Sequence, residues 1–336
     1  MRPVDLASHA LASFALARGF FSNRRWPVFV GMLGAGVLAD MDLLSASVGP
    51  AAYFVFRRTY THSFLGLLVI VALAVLFARY IGEKPPEPVL RLLLPFSLAA
   101  GFHLILDVLQ SEGTAIFWPI RPTRLAADWL PPIDPWILAI LIAGICIPEL
   151  FRLITSEIGV KDKSPRGRSG ALTALGLLVM YLGARAALHT ISVASLDPHS
   201  YGGESARKVG AYPAPFSLFL WNGTVETQSF LCLADVPAGF GKPFDPESVQ
   251  CFHKPEPSPE LTAAQNSDMA QAYIRTVPFP RAAVAKSAEG SEVELRSMRD
   301  VAEHETAHRI GARIVLDREF RIVSEQFLWA KDLRLR

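Results

Sequence analysis

Acidic and imidazole side chains set inside apolar runs constrain this chain more than any other feature. Asp40 and Asp42 lie near the end of the apolar run 26–48, and His103 and Asp107 lie inside the run 89–110. An aspartate at the centre of a membrane-spanning helix costs roughly 2.5–3.5 kcal/mol, and less towards its ends. Several such residues in segments able to converge are most simply explained by one buried polar site. His9 and His62 sit beside two further apolar runs and are candidates for the same site. Carboxylates mixed with imidazoles are the ligand set of zinc, manganese or iron.

The runs themselves predict a membrane domain. The 336-residue chain is 51% hydrophobic and only 19% charged, below the roughly 25% charged usual in soluble domains. Measured against a requirement of ~20 apolar residues, candidate spans fall at 5–21, 26–48, 63–82, 89–110, 135–155 and 170–192, the first being short and interrupted by His9. That first segment ends in Arg18, Arg24 and Arg25, the reverse of a signal peptide's charge order, so we read it as a mature segment. After residue 192 no run is long enough to span. The fold class expected is therefore an α-helical multi-span membrane domain of about six spans, residues 1–192, with a smaller C-terminal β-rich soluble domain, residues 193–336.

Lys and Arg set orientation. Lys161, Lys163, Arg166 and Arg168 place the loop after the fifth span inside, as do Arg79, Lys84 and Arg91 for an earlier one; Arg57 and Arg58 fall outside. His9, Asp40, Asp42, His62, His103 and Asp107 then all lie towards one extracytoplasmic face, and the C-terminal domain lies outside too. An oxidising compartment makes a disulfide between Cys232 and Cys251 plausible; two unpaired core cysteines are the alternative.

His103 and Asp107, four apart, share one helix face and can hold one ion together; a hydrogen-bonded structural pair is the plainer reading. Asp40 and Asp42 diverge by about 200° on a regular helix, so both point inward only if the helix ends or unwinds there, as Ser45, Ser47, Gly49 and Pro50 suggest. Otherwise they are interfacial carboxylates facing water. Arg58, and less directly Arg57, offers a fork of donors suited to phosphate, or a basic loop at headgroup level. Trp118, Trp129 and Trp136 read as interfacial anchors. Gly31, Gly34 and Gly36 predict close helix approach rather than a nucleotide loop. His304, Glu305 and His308 match the His-Glu-x-x-His zinc protease pattern, which requires a helix, but the flanks alternate as strands joined by a hairpin turn at Asp317-Arg318-Glu319. No basic stripe interleaved with aromatics is present, which argues against a nucleic-acid partner.

Ala39-Asp40-Met41-Asp42, Thr61-His62-Ser63, and His103 with Asp107 running on to Gly113, Trp118 and Pro119 resemble the YdjM-like bacterial inner-membrane proteins, described as membrane-bound metal-dependent hydrolases. His9 matches the family's early histidine, and Asp134-Pro135 is similar to a further family feature. The stretch around Tyr212 and Trp221 resembles the tail of longer members. Two positions depart: Arg57 stands where the family motif opens with a histidine, and Ala39 replaces a proline. The ligand pattern is also faintly similar to that of zinc-dependent phospholipases C and single-strand nucleases.

The expectation is a hydrolase of the bacterial inner membrane holding one or two divalent ions, zinc first with manganese or iron as alternatives. The ligands would be His9, Asp40, Asp42, His62, His103 and Asp107, with Asp107, Asp42 and Arg58 as catalytic groups. Metal-activated water would attack an ester. The site's place near the headgroups makes a lipid phosphoester the natural substrate and the bilayer the natural partner. A non-enzymatic metal-binding scaffold or envelope-stress protein is the competitor, and a metal transporter a more distant one.

Overall fold

The computed structural model describes residues 3–81, 87–157, 167–239, 243–299 and 309–334. Its chain divides into two compact units, one made of Met1–Leu43 with Arg58–Ala186, the other of Leu44–Arg57 with Ala187–Arg336.

The first unit is helical. Helix α1 (Pro3–Phe20) is followed by α2 (Trp26–Ala35), a 3-10 helix (Leu38–Ser47) and the short α3 (Pro50–Phe56); then come α4 (Phe64–Ile81), α5 (Val89–Leu109), α6 (Pro135–Glu157) and α7 (Arg168–Leu196). The 3-10 helix runs past Leu43, and α3 and the last turns of α7 count with the second unit. Among the described residues four helices are long and apolar enough to cross a membrane: Phe64–Ile81, Val89–Leu109, Pro135–Arg152 and Arg168–Leu196. The pair Trp26–Ala35 and Leu38–Ser47, bent by 44°, makes a fifth if it is one broken span. This falls short of the six expected; α1, which carries Asp5, His9 and Arg18, is not among them.

Helix α5 packs against α1, α2 and α4. The shared core is built of small residues, Ala12, Ala15, Ala35, Ala99 and Ala100, around Met32, Leu92 and Phe96; small side chains let backbones approach, the main source of helix association in lipid. Gly31 shows the closeness directly: a Cβ added there would lie 2.7 Å from the Phe96 ring. At Gly36 it would collide with Ser13, whereas Gly34 faces open space, so close approach applies to two of the three glycines.

The second unit is β-rich. A small antiparallel pair, β1 (Ser200–Tyr201) and β2 (Glu204–Ser205), precedes a four-stranded antiparallel sheet, β3 (Lys208–Pro213), β4 (Leu220–Glu226), β5 (Phe230–Pro237) and β6 (Gln250–His253). Cys232 and Cys251 sit opposite each other in the β5–β6 register and are bonded. Helices α8 (Pro259–Gln265) and α9 (Asp268–Thr276) follow, then a second antiparallel sheet of β7 (Pro280–Ser287), β8 (Gly290–Ser297), β9 (Ile310–Leu316) and β10 (Ile322–Trp329). The expected hairpin at Asp317-Arg318-Glu319 joins β9 to β10. The His304–His308 motif lies outside the described residues, while the strands predicted on either side of it are present as β8 and β9.

Helix α3 belongs with this second unit through its aromatic side chains. Phe54 stacks on Phe327 of β10 with centroids 4.3 Å apart, and Tyr53 lies 5.5 Å from Trp329.

Candidate metal centre

The bend between α2 and the 3-10 helix is what brings two aspartates inward. At three residues per turn, positions i and i+2 lie about 120° apart, instead of about 160° on an α-helix. Asp40 and Asp42 are accordingly both buried, while Met41 between them is 54% exposed. Asp40 faces α1 and α5; Asp42 faces the loop that carries Arg58 and His62.

That loop is shaped by one unusual residue. Arg58 has φ 54, in the left-handed region that costs a non-glycine residue roughly 1–2 kcal/mol. The geometry turns its amide towards Asp42 Oδ2 at 2.7 Å and its carbonyl towards the amide of Ala115 at 3.0 Å. A second chain segment supports it from the other side. There Gly113 takes φ 68, and Trp118 meets Tyr60 edge-on at 4.6 Å. Trp118, expected as an interfacial anchor, thus packs within the site's supporting loops.

The six residues expected as ligands, and Arg58, are all buried and come together. Four of them form the tighter group: one donor atom each from Asp40, His62, His103 and Asp107 lie within 4.8 Å of one another. His62 Nε2 and His103 Nε2 are 3.2 Å apart, and Asp107 Oδ2 lies 2.8 Å from the first and 3.2 Å from the second. The other two expected ligands hold members of that group instead. Asp42 Oδ2 lies 3.0 Å from His62 Nδ1, and His9 Nδ1 is 2.8 Å from Asp40 Oδ2 with its Nε2 3.5 Å from Asp107 Oδ1.

Hydrogen positions follow from the partners. His103 Nδ1 is 2.9 Å from the carbonyl of Gly36, which can only accept, so Nδ1 carries a proton. His62 Nδ1 lies between Asp42 Oδ2 at 3.0 Å and Thr61 Oγ1 at 2.9 Å. His62 Nε2, His103 Nε2 and Asp107 Oδ2 converge there, and Arg58 Nη2 holds the other Asp107 oxygen at 2.9 Å. A cation resolves that arrangement. Carboxylate or carbonyl partners on the far nitrogen are the usual second layer of a metal site.

Charge tells the same story. Asp40, Asp42 and Asp107 carry three negative charges, and Arg58 Nη2, 2.9 Å from Asp107 Oδ1, supplies one positive. Carboxylates thus outnumber the guanidinium in this buried group, and uncompensated buried charge is costly.

Arg58 departs from its expected role. Its side chain is buried, with Nη2 held 2.6 Å from Gln110 Oε1 as well as by Asp107, so its fork serves the protein rather than standing open to a phosphate. Gln110, Thr61 and the Gly36 carbonyl were missed from sequence. Gln110 stands three residues beyond Asp107, a spacing that puts the two on one helix face; Gly36, as a backbone acceptor, leaves no sequence signal. Asp134 is elsewhere: its Oδ1 caps α6 through the amides of Trp136 and Ile137 at 2.9 and 3.2 Å, and its Oδ2 accepts from Tyr181 at 2.7 Å.

Comparison with known proteins is consistent with this picture. A family model described as YdjM inner membrane protein matches residues 4–191, more than half of the chain. No curated protein and no solved structure matches it.

Proposed function

Because the chain belongs to the YdjM inner membrane protein family, we propose that its buried cluster holds one divalent ion and serves a metal-dependent hydrolase of the membrane, zinc being the first candidate and manganese or iron the alternatives. The observation that carries the reading is the meeting of His62 Nε2, His103 Nε2 and Asp107 Oδ2 within 3.2 Å. Asp40, His62, His103 and Asp107 would bind the ion. When bound, a divalent ion supplies Lewis acidity, polarising an ester oxygen and lowering the pKa of water.

The chain's own residues do the positioning. Asp42 and the Gly36 carbonyl hold the two imidazoles in place, and His9 steadies Asp40. Arg58 offsets the charge of Asp107 and fixes its orientation. Asp42 and Arg58 are therefore positioning residues in this reading, and Asp107 keeps the more direct role. The substrate class is an ester of a lipid or envelope component, with a phosphoester favoured by the expected placement near the headgroups. Six spans, counting α1, and an extracytoplasmic β-rich domain complete the proposed topology.

One observation favours a second reading. Catalytic zinc sites keep an open position, whereas structural sites are closed by four protein ligands, and here four buried residues converge. A metal-stabilised membrane scaffold fits that closure. The deciding experiment takes detergent-purified wild type and Asp107→Ala, measures metal per chain by elemental mass spectrometry, and assays phosphodiester, phosphomonoester and carboxylester substrates in mixed micelles. One ion per wild-type chain with metal-dependent turnover, both lost in the variant, supports the hydrolase. One ion without turnover of any class supports the scaffold. No retained metal defeats both.

A further inference from the structure

Strand period sorts the second sheet of the β-rich unit into two faces. Ala282 and Val284 of β7, with Val293 and Leu295 of β8, turn to an apolar core. Arg281 and Arg296 are therefore on the other face, and the register sets them directly opposite each other across β7 and β8. Opposed side chains on an antiparallel pair have Cβ atoms about 4.5–5.5 Å apart, and like charges so placed are destabilising. Neither arginine escapes fully into water: the Arg296 side chain is 21% exposed, and Arg281 is half-buried. Burial and, after it, the charge of Arg296 lower the pKa of Arg281.

The carboxylates of that face leave the repulsion in place. Glu294 and Glu292 are both taken by Arg313 of β9, at 2.7 and 2.6 Å. Glu294 reaches Arg296 only at 3.9 Å, and among the described residues Arg281 has no carboxylate partner. What Arg281 has is an aromatic seat, its guanidinium carbon lying 4.9 Å from the centre of the Phe252 ring. Phe252 packs against a small cluster that includes Tyr212 and Phe279. Two more cations sit on rings of that cluster, Lys208 Nζ 4.5 Å from Phe279 and the Arg299 guanidinium 5.6 Å from Tyr212. Glu226, opposite Lys208 in the β3–β4 register, is bound to Lys254 instead, at 2.7 Å. Aromatic faces hold cations in position but carry no net charge to offset theirs.

We propose that Arg281 and Arg296 form an anion site of the β-rich unit and that its ligand is a phosphoryl group. One bidentate guanidinium uses both oxygens of a carboxylate. A phosphoryl group offers three strong acceptor oxygens and a charge of about −2, enough for two forks at once. Lys208 and Arg299, gathered round the same aromatic cluster, add to the positive potential that draws such an anion in. Every residue of the site belongs to one unit, so it stands whether or not the helical unit holds a metal ion. Free phosphate and a phosphomonoester lipid headgroup carry the same chemistry.

The test uses full-length protein in detergent with a chelator present, so that no metal ion draws phosphate. Isothermal titration calorimetry is run with inorganic phosphate, dihexanoyl phosphatidic acid and dihexanoyl phosphatidylcholine. The proteins are wild type, Arg281→Gln, Arg296→Gln and, as a charge-matched control, Arg318→Gln, which alters an exposed arginine at the β9–β10 turn. We expect wild type and Arg318→Gln to bind phosphate alike, and the other two at least about tenfold more weakly, the loss of one charge-assisted hydrogen bond. Phosphate should also raise the melting temperature of wild type and leave those two unmoved. Tighter binding of phosphatidic acid than of phosphate assigns a lipid headgroup, and equal affinity assigns the free anion. The two variants alter different strands, so either one decides if the other folds poorly. The proposal is overturned if wild type neither binds phosphate nor gains stability from it, or if Arg281→Gln and Arg296→Gln bind as wild type does. Phosphatidylcholine bound as tightly as phosphatidic acid would overturn it too, since acyl chains would then be what is recognised.

Discussion

In the proposed metal site, Asp42 would matter without touching the ion. Its carboxylate gathers the Arg58 amide, the Thr61 hydroxyl and His62 Nδ1 on one oxygen. Truncation by Asp42→Ala leaves all four converging groups in place, yet it frees the His62 ring to turn and removes the carboxylate beside its Nδ1. We expect metal affinity to fall about 10- to 100-fold, read by chelator competition, with binding retained at high metal concentration; an unchanged affinity would contradict that positioning role. A different carboxylate predicts a pH effect in the β-rich unit. The Lys286 ammonium, then the first-turn amide and Ser258, hold Glu260 down at about 2, below the ordinary value of 4.5. Its folded pKa is thus depressed, so its contribution is present above pH ~4.5 and is lost as pH falls towards 2. Glu260→Gln should lower stability near neutral pH and narrow the difference from wild type below pH 3, measured by thermal unfolding across pH.

At the scale of elements, the most informative piece is the bent pair formed by α2 and the 3-10 helix. Two aspartates at i and i+2, followed by Ser45, Ser47, Gly49 and Pro50, made an unwound helix end the only way to bury both, and that local chemistry was readable from sequence. The His103–Asp107 face and the β8 and β9 strands were readable for the same reason, since period and spacing are local. The capture of α3 was not. Tyr53, Phe54, Val55 and Phe56 look like one more interfacial apolar run, and their partners Phe327 and Trp329 come from a strand far along the chain that leaves no periodic mark on them. The partners of Arg58 were not readable either, because sequence shows a guanidinium but not that Asp107 and Gln110 hold it. Packing between elements gives its own prediction. Gly31 on α2 meets Phe96 on α5 so closely that Gly31→Val must displace the ring, and overpacking of this kind costs typically 1–3 kcal/mol. A lowered melting temperature in detergent should result, and Gly34→Val, facing open space, should cost much less.

For the whole molecule, the disulfide offers a test of orientation. Cys232 and Cys251 are paired across β5 and β6, and such bonds persist where thiols are not kept reduced. If the β-rich domain lies outside the inner membrane, alkylation of intact cells before lysis should leave Cys232 and Cys251 unmodified while reduction first should expose both; mass spectrometry of the tryptic peptides reads the difference. Free thiols at both positions would place the domain in the cytoplasm and reverse the proposed topology. The pairing of α3 with β10 has one more consequence, in the order of synthesis. The ribosome makes α3 long before it makes β10, so in a nascent chain Phe54 and Tyr53 stand without the Phe327 and Trp329 partners they have in the folded protein. A chain stalled short of Ile322 would then present those two aromatic rings without their partners, a mark by which the cell could recognise it as unfinished.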